Sequence, residues 1–149
     1  MVLTKQERSE LRSNLFRHLD GIVTAPTAYT LYEAGVLDYL LENPASSLKT
    51  IAEKFKANEG YLNVALRVLC SQGWLTQQIE EDGAIIKFNL TTKGTHAFKY
   101  AKYYKASVKF ISLAVKLKNF MQDGLDPESY RQLRILIEEQ KRNYSIDFS

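Results

Sequence analysis

Few residues of this 149-residue chain have the chemistry of a catalytic or metal-binding site. Its two histidines, His18 and His96, and its single cysteine, Cys70, are widely separated and do not have the spacing of metal ligands. Cys70 follows an apolar run, which favours a buried thiol over a reactive one. We expect His18 on the surface of the first helix and His96 at the start of a later helix, not as a catalytic base.

Motifs for binding phosphate or activating a nucleophile are also absent. The seven glycines are scattered, and no glycine-rich nucleotide loop or serine elbow occurs. The carboxylates of Glu80, Glu81 and Asp82 fall at a predicted turn, where solvent keeps them from acting as general acids or bases. The sequence therefore predicts no catalytic residue, no metal ligand and no cofactor bound by this chain itself.

Composition indicates an ordinary globular protein. Hydrophobic residues make up 45% and charged residues 25%, which suits a folded domain of this length. The N-terminal sixteen residues lack the apolar stretch of a signal peptide, and no run approaches the ~18 apolar residues of a membrane span. We expect a cytoplasmic location without membrane contact.

Apolar spacing predicts a mainly helical chain with the order of a winged helix. A first helix covers about 5–20 and ends at Gly21, and a second begins at Pro26. A short helix at 36–41 is followed by a helix-turn-helix, whose two helices are capped by Ser47 and Asn58. Strands at 74–80 and 84–90 then form a hairpin about the turn at 81–83.

The remaining chain is predicted to add two helices. The first, at 103–120, is apolar over more than half its circumference and must be covered on more than one side. The last follows Pro127 and places Glu138 and Glu139 outside. We therefore divide the chain into a winged-helix domain at 1–100 and a helical extension at 101–149 that packs on this domain or on a partner.

The helix-turn-helix raises the question of DNA binding. Its second helix, at 58–72, contains one cation, Arg67, and one acid, Glu59, while the hairpin tip is acidic. Because affinity for duplex DNA depends largely on neutralised phosphates, we do not expect DNA as a partner. A DNA-binding transcriptional regulator is the alternative interpretation.

Five segments together resemble a known family. Residues 28–40 (AYTLYEAGVLDYL), 48–53 (LKTIAE) and 58–69 (NEGYLNVALRVL) are similar to successive helices of the dimerisation domain of S-adenosylmethionine-dependent small-molecule O-methyltransferases. The pair GWL at 73–75 and FNLTTKG at 88–94 resembles the hairpin of that domain. The resemblance covers roughly residues 15–100 in the correct order, and similar modules precede methyltransferase domains in polyketide synthases.

The resemblance implies a non-catalytic module that forms a homodimer and closes over a following methyltransferase domain. S-adenosylmethionine would then bind in the parent enzyme, and this chain would be a fragment or a freestanding remnant. In that family the first helices border the substrate pocket, so by position Phe16, Tyr29 and Tyr32 are candidates for substrate contact.

Charge is distributed unevenly along the chain. Residues 1–90 contain nine Lys/Arg and eleven Asp/Glu, whereas residues 91–149 contain eleven and six. The segment 93–118 holds seven lysines and no acid. An anionic partner, such as an acidic carrier domain, should therefore meet the C-terminal third. Our candidates for this contact are Lys102, Lys105, Lys109 and Lys116.

Overall fold

The computed structural model describes residues 2–144, most of which are helical. In chain order the elements are α1 (Lys5–Glu33), α2 (Val36–Glu42), β1 (Ala45–Ser47), α3 (Leu48–Phe55), α4 (Glu59–Ser71), β2 (Leu75–Glu80), β3 (Ile85–Leu90), α5 (Thr92–Tyr100), α6 (Lys105–Ala114), α7 (Leu117–Asp123) and α8 (Pro127–Tyr144).

Helix α1 is one continuous helix of 29 residues. The sequence predicts a stop at Gly21 and a new start at Pro26, and both predictions are wrong. Thr24, Ala28 and Leu31 are all buried against the protein core at intervals of four and three residues. Proline removes one backbone hydrogen bond and adds a steric clash, which together cost a helix about 3 kcal/mol. The packing on both sides of Pro26 offsets this cost.

The helix-turn-helix forms as its local sequence dictates. The side chains of Ser47 and Asn58 accept hydrogen bonds from the backbone N–H groups of Thr50 and Tyr61, which caps α3 and α4 as predicted. Gly35, with φ of 79°, separates α1 from α2 in a conformation that a side chain would strain. The two helices of the motif contact each other and the sheet.

The sheet is antiparallel with the strand order β1-β3-β2. Strands β2 and β3 form the predicted hairpin, joined by a single 3₁₀ turn at Glu81–Gly83. Strand β1 was not predicted; its Ser46 lies opposite Phe88. With the helix-turn-helix before it, this hairpin confirms the winged-helix fold.

A single apolar cluster joins the winged helix to the C-terminal end of α1. Its side chains come from α1 to α5, and Leu37, Leu40, Ile51, Leu66, Leu69 and Phe88 are fully buried. Gly94 lies at the start of α5, where a Cβ would run into the carbonyl group of Trp74. Close backbone contact thus locks α5 against the beginning of the hairpin.

The C-terminal helices pack differently from the prediction. The predicted helix at 103–120 is divided into a 3₁₀ turn (Ala101–Tyr104), α6 and α7. Helix α8 packs on α6 through Ala106, Leu113 and Leu136. Other large apolar side chains of α6 and α7 are exposed, among them Phe110, Val115 and Met121. Within residues 2–144, no helix is long and apolar enough to cross a membrane.

Candidate interaction surfaces

An apolar stripe runs along the N-terminal half of α1, where residues 5–23 are all exposed. Six large side chains of this stripe are 50–61% exposed: Leu11, Leu15, Phe16, Leu19, Ile22 and Val23. Arg8 and Arg12 border the same face, and the Arg12 guanidinium lies 5.6 Å from the centre of the Phe16 ring. The stripe gives α1 a surface that its own chain does not cover.

The three residues predicted to contact substrate do not lie together. Phe16 belongs to the exposed stripe, whereas Tyr29 is 8% exposed. The two positions are about 20 Å apart along α1 at 1.5 Å per residue. Tyr29 and Tyr32 do form a pair, with ring centres 6.2 Å apart and nearly parallel planes. Tyr29 and Tyr32 can therefore contact the same small molecule, whereas Phe16 of the same chain cannot.

Tyr29 sits in an acidic environment. Its hydroxyl donates a hydrogen bond of 2.7 Å to Oε1 of Glu33. Burial raises the pKa of Tyr29 to about 12, and the Glu33 hydrogen bond and charge, with that of Glu139, act in the same direction. The phenol therefore stays protonated and acts as a hydrogen-bond donor, not as a base.

Glu139 is turned inward, so its predicted placement outside the last helix is wrong. Its Oε2 atom is buried and has no hydrogen-bond partner, while Oε1 lies 4.0 Å from Nζ of Lys105. The cause is the antiparallel packing of α8 on α6, which sets Glu139 opposite Lys105. Asn143, one turn further, donates to the carbonyl oxygen of Tyr103. Single-helix periodicity could not have located Glu139 here.

The four candidate lysines have different surroundings. Nζ of Lys102 lies 5.1 Å above the centre of the Tyr103 ring, and Lys105 faces Glu139. The charge of Lys116 contributes to lowering the pKa of Asp126, after the larger effect of hydrogen bonds from Ser129. Lys109 has no acidic group within ion-pair distance among residues 2–144, and it lines a groove with Ser112 of α6 and with Gln132 and Ile135 of α8. Lys109 thus keeps an uncompensated charge beside α8.

Helix α8 adds cations that the sequence analysis did not select. Arg131, Arg134 and Arg142 line a groove with Tyr130, Ile135 and Glu138. Ile135 also borders the Lys109 groove, so the two grooves meet at this residue. Charged residues at 131, 134 and 138 share one side of a helix, and this spacing is readable in the sequence. Their closeness to Lys109 follows only from the packing of α6 on α8.

A third groove, which is apolar and has a volume of about 250 Å³, lies between α6 and α8. It is lined by Ala106, Ser107, Phe110, Leu133, Leu136, Ile137 and Gln140. Phe110 and Ile137 are 46% and 45% exposed. Leu133 and Ile137 lie between about 60° and 160° around α8 from Arg131 and Arg134, at 100° per residue. Leu136 lines both the apolar groove and the Lys109 groove, so the apolar and cationic surfaces of this helix pair adjoin each other.

The exposed side of α4 is more apolar than cationic. Tyr61 is 82% exposed and Val64 is 61% exposed, whereas Arg67 is the single cation of the helix. Asn63 accepts a hydrogen bond from the side-chain amide of Gln77, which occupies an amide that a base edge would need. At the wing, Lys87 pairs with Glu80 at 2.9 Å, while Glu81 and Asp82 stay exposed.

The histidines and the cysteine lie far apart in the described part of the chain. His18 and His96 are both exposed. Cys70 is half-buried against the core, and burial raises the pKa of its thiol, with a smaller opposing effect of Arg67. Within residues 2–144, no group of three His, Cys, Asp or Glu side chains could hold a metal ion.

Comparison with known sequences gives one family. The family described as "AprA N-terminal domain" matches residues 11–77, slightly less than half of the chain. The matched range contains most of α1, the helix-turn-helix and the beginning of β2. Its description points to an N-terminal domain of a larger protein. No curated protein matches the sequence significantly.

Among solved structures, the similar chains include transcriptional regulators. A MarR transcriptional regulator from Methanosarcina mazei is 17% identical, with 96% of this chain and 100% of that chain covered and a TM-score of 0.42. The PcaV regulator from Streptomyces coelicolor is 17% identical, with 95% and 98% covered and a TM-score of 0.44. Reduced AbfR, solved bound to DNA, is 22% identical, with 79% and 99% covered and a TM-score of 0.40. At such scores these likenesses carry no information on what this chain binds.

Proposed function

We propose that this chain is a non-catalytic winged-helix module that pairs with a second copy of itself and serves an S-adenosylmethionine-dependent methyltransferase of secondary metabolism, such as one within a polyketide synthase. The observation that carries the pairing is the apolar stripe of α1. Most of the stability of a helix in a protein comes from packing of its apolar face, and residues 5–23 of α1 are exposed. Its regular Leu11, Leu15 and Leu19 positions suit a partner helix or groove.

The area of the stripe is sufficient for self-association. Fully burying one large apolar side chain contributes about 1.5–3 kcal/mol, so a half-exposed one contributes about 1 kcal/mol. Two copies would bury twelve such side chains of α1, against an association cost of about 4–15 kcal/mol. The open apolar groove between α6 and α8 offers further area. A second copy fits because a two-fold interface uses the same patch on both subunits.

The methyltransferase part of the proposal rests on sequence. Residues 28–40, 48–53 and 58–69 resemble the dimerisation domain of O-methyltransferases, and the family match at 11–77 overlaps all three segments. In this proposal S-adenosylmethionine binds in the parent enzyme. Tyr29 and Tyr32 are the remaining candidates for bordering its substrate, since their rings stack beside the Glu33 carboxylate.

Charge introduced into the stripe tests the pairing. We expect Leu11→Glu with Leu19→Glu to convert a dimer into a monomer in sedimentation equilibrium at micromolar concentration. The control is Gln6→Glu with Ser13→Glu, which adds the same charge on the opposite side of α1 and should leave the dimer intact. A wild-type monomer, or equal effects of the two double variants, would contradict the pairing.

The methyltransferase assignment has a separate test. Affinity capture of the full-length protein from its own source should yield material that transfers label from methyl-labelled S-adenosylmethionine to a small molecule. The expected result includes a catalytic domain in the same polypeptide or a stably bound methyltransferase. Captured protein free of any methyltransferase would remove this assignment and leave the pairing untouched.

A DNA-binding transcriptional regulator is the second candidate. The winged-helix topology and the exposed surface of α4 favour this function. The comparisons give no support to the expectation that DNA is not a partner. Against it stand the single cation of α4 and the acidic wing. We expect only weak, salt-sensitive shifts of mixed-sequence duplex near ~0.15 M salt. Tight, sequence-selective binding that Arg67→Ala removes would establish the regulator instead.

A further inference from the structure

A positively charged surface is built jointly by α6 and α8. We define the cationic face as Lys109, Arg131, Arg134 and Arg142 around Ile135. Two grooves meet at Ile135, one lined by Lys109 and the other by the three arginines. The face is therefore continuous across the two helices.

The charges of this face are only partly neutralised within the chain. Arg131 forms a 2.8 Å ion pair with Glu128, and Glu138 pairs with Lys141 at 3.1 Å. Lys109 and Arg134, in contrast, have no acidic side chain within 4.0 Å in the range 2–144. A net positive potential remains where the two grooves join, and it attracts an anionic partner.

Apolar side chains lie among these cations. Tyr130 is 54% exposed and Ile135 is 47% exposed. A nucleic-acid backbone would neutralise the cations but leave these two side chains in water. A helix with acidic residues on one side and leucine-like residues at its centre would satisfy both, because it can lie in the grooves as amphipathic helices do.

We propose that the cationic face binds an acidic amphipathic helix of a partner protein, an acidic carrier domain being one protein of this chemistry. Lys109 and Arg134 supply the unneutralised charges, and Ile135 supplies the apolar contact between them. The stripe of α1 that carries the pairing proposed above shares no residue with this face. Failure of one proposal therefore does not imply failure of the other.

Binding of a defined peptide to the purified chain tests this proposal. The probe is a fluorescein-labelled synthetic peptide with leucines on one helical side and glutamates on the other. A scrambled peptide of the same composition and a labelled DNA duplex serve as comparisons. We expect the amphipathic peptide to bind several-fold more tightly than the scrambled one, and more weakly as salt rises.

Charge reversal locates the site. We expect Lys109→Glu with Arg134→Glu to weaken peptide binding about tenfold, since attraction becomes repulsion at two positions. The control is Lys49→Glu with Arg67→Glu, which changes net charge equally on the helix-turn-helix and should stay within about twofold of the wild type. Circular dichroism and sedimentation should be unchanged in both. If the reversal fails to fold, Lys109→Gln with Arg134→Gln replaces it.

Three results would overturn the proposal. The first is equal binding of amphipathic and scrambled peptides, which would reduce the effect to bulk charge. The second is equal loss in the two double variants. The third is tighter binding of the DNA duplex than of the peptide at the same salt, lost on reversal of Lys109 and Arg134, which would make the face a nucleic-acid surface.

Discussion

The winged-helix core and the helical arms of this molecule are organised differently. The core holds sixteen buried apolar residues from α1 to the start of the 3₁₀ turn. In the arms, which are residues 5–23 of α1 and α6 to α8, the described range contains a small buried cluster of Ala106, Leu113 and Leu136. Large apolar side chains are abundant in the arms but half-exposed. The core is thus built within one chain, whereas the arms leave large apolar side chains exposed.

The largest expected difference between the two regions comes from removing a phenylalanine. Phe88 is fully buried, and Phe16 is 54% exposed. We expect Phe88→Ala to lower the free energy of unfolding by about 3–5 kcal/mol, because it leaves a cavity at the centre of the sheet. Phe16→Ala should change the unfolding of the isolated chain by less than about 0.5 kcal/mol.

Urea denaturation at low protein concentration, where self-association is minimal, measures both values. At higher protein concentration, a loss of stability should also appear for Phe16→Ala, whereas the loss for Phe88→Ala should not depend on concentration. This is the behaviour expected of a substitution that weakens an interface. Similar losses for the two variants at low concentration would place the α1 stripe inside the folded unit and break the comparison.

The accuracy of the predictions made from the sequence also differs between the core and the arms. Ser47 and Asn58 mark the starts of their helices correctly because a cap depends on residues two or three positions away. The hairpin is predicted for the same reason, from its turn and its alternating residues. Strand β1 is missed because it is three residues long and pairs with β3, some forty residues later. Local chemistry therefore determines the elements of the core, but not all of its pairings.

The structure of the arms is predicted less well because it depends on packing between helices. The continuity of α1 past Pro26 depends on what Thr24 and Ala28 contact, not on helix propensity. The inward position of Glu139 depends on Lys105, which lies on another helix. Of the candidates chosen from the sequence, Tyr29, Tyr32 and Lys109 remain candidates. The sequence did not select Arg134, whose groove meets the Lys109 groove at Ile135 only after α8 has packed on α6.

A smaller effect is expected where the core meets the arms, at Tyr29. Tyr29→Phe removes the hydrogen bond to Glu33 and should lower the free energy of unfolding by about 1 kcal/mol near neutral pH. The folded-state pKa of about 12 lies above the ordinary value of 10.0. The unfolded chain therefore loses this proton first, and the stability that Tyr29 contributes is present below pH 10 and is lost as the pH rises towards 12.

Urea denaturation of both proteins between pH 8 and about pH 11 checks this sign. The advantage of the wild type over Tyr29→Phe should shrink as the pH passes 10. A constant difference across this range would mean that Tyr29 ionises equally in the folded and unfolded chains, and that its burial at the junction is weaker than the structure indicates.

The smallest expected effect concerns two helix caps of the same kind in the two regions. Asn58 accepts a hydrogen bond from the Tyr61 N–H at the start of α4, and Thr4 accepts one from the Glu7 N–H at the start of α1. In a reciprocal contact, the Thr4 N–H donates to Glu7 at 2.7 Å, and the hydrogen bonds from Thr4 lower the Glu7 pKa.

Removing a cap typically costs about 1 kcal/mol of helix stability. For Asn58→Ala this loss should appear in full, since α4 unfolds together with the core. For Thr4→Ala the monomer should lose almost nothing, because the first turns of α1 are exposed and can fray without disturbing the core. Amide hydrogen exchange should then be faster at residues 5–12 of the Thr4→Ala monomer, with no change in the urea midpoint.

In the proposed dimer the same substitution should weaken association by up to about fivefold, because fraying of α1 competes with its burial. A full 1 kcal/mol loss from Thr4→Ala in the monomer would show that α1 and the core unfold as one unit.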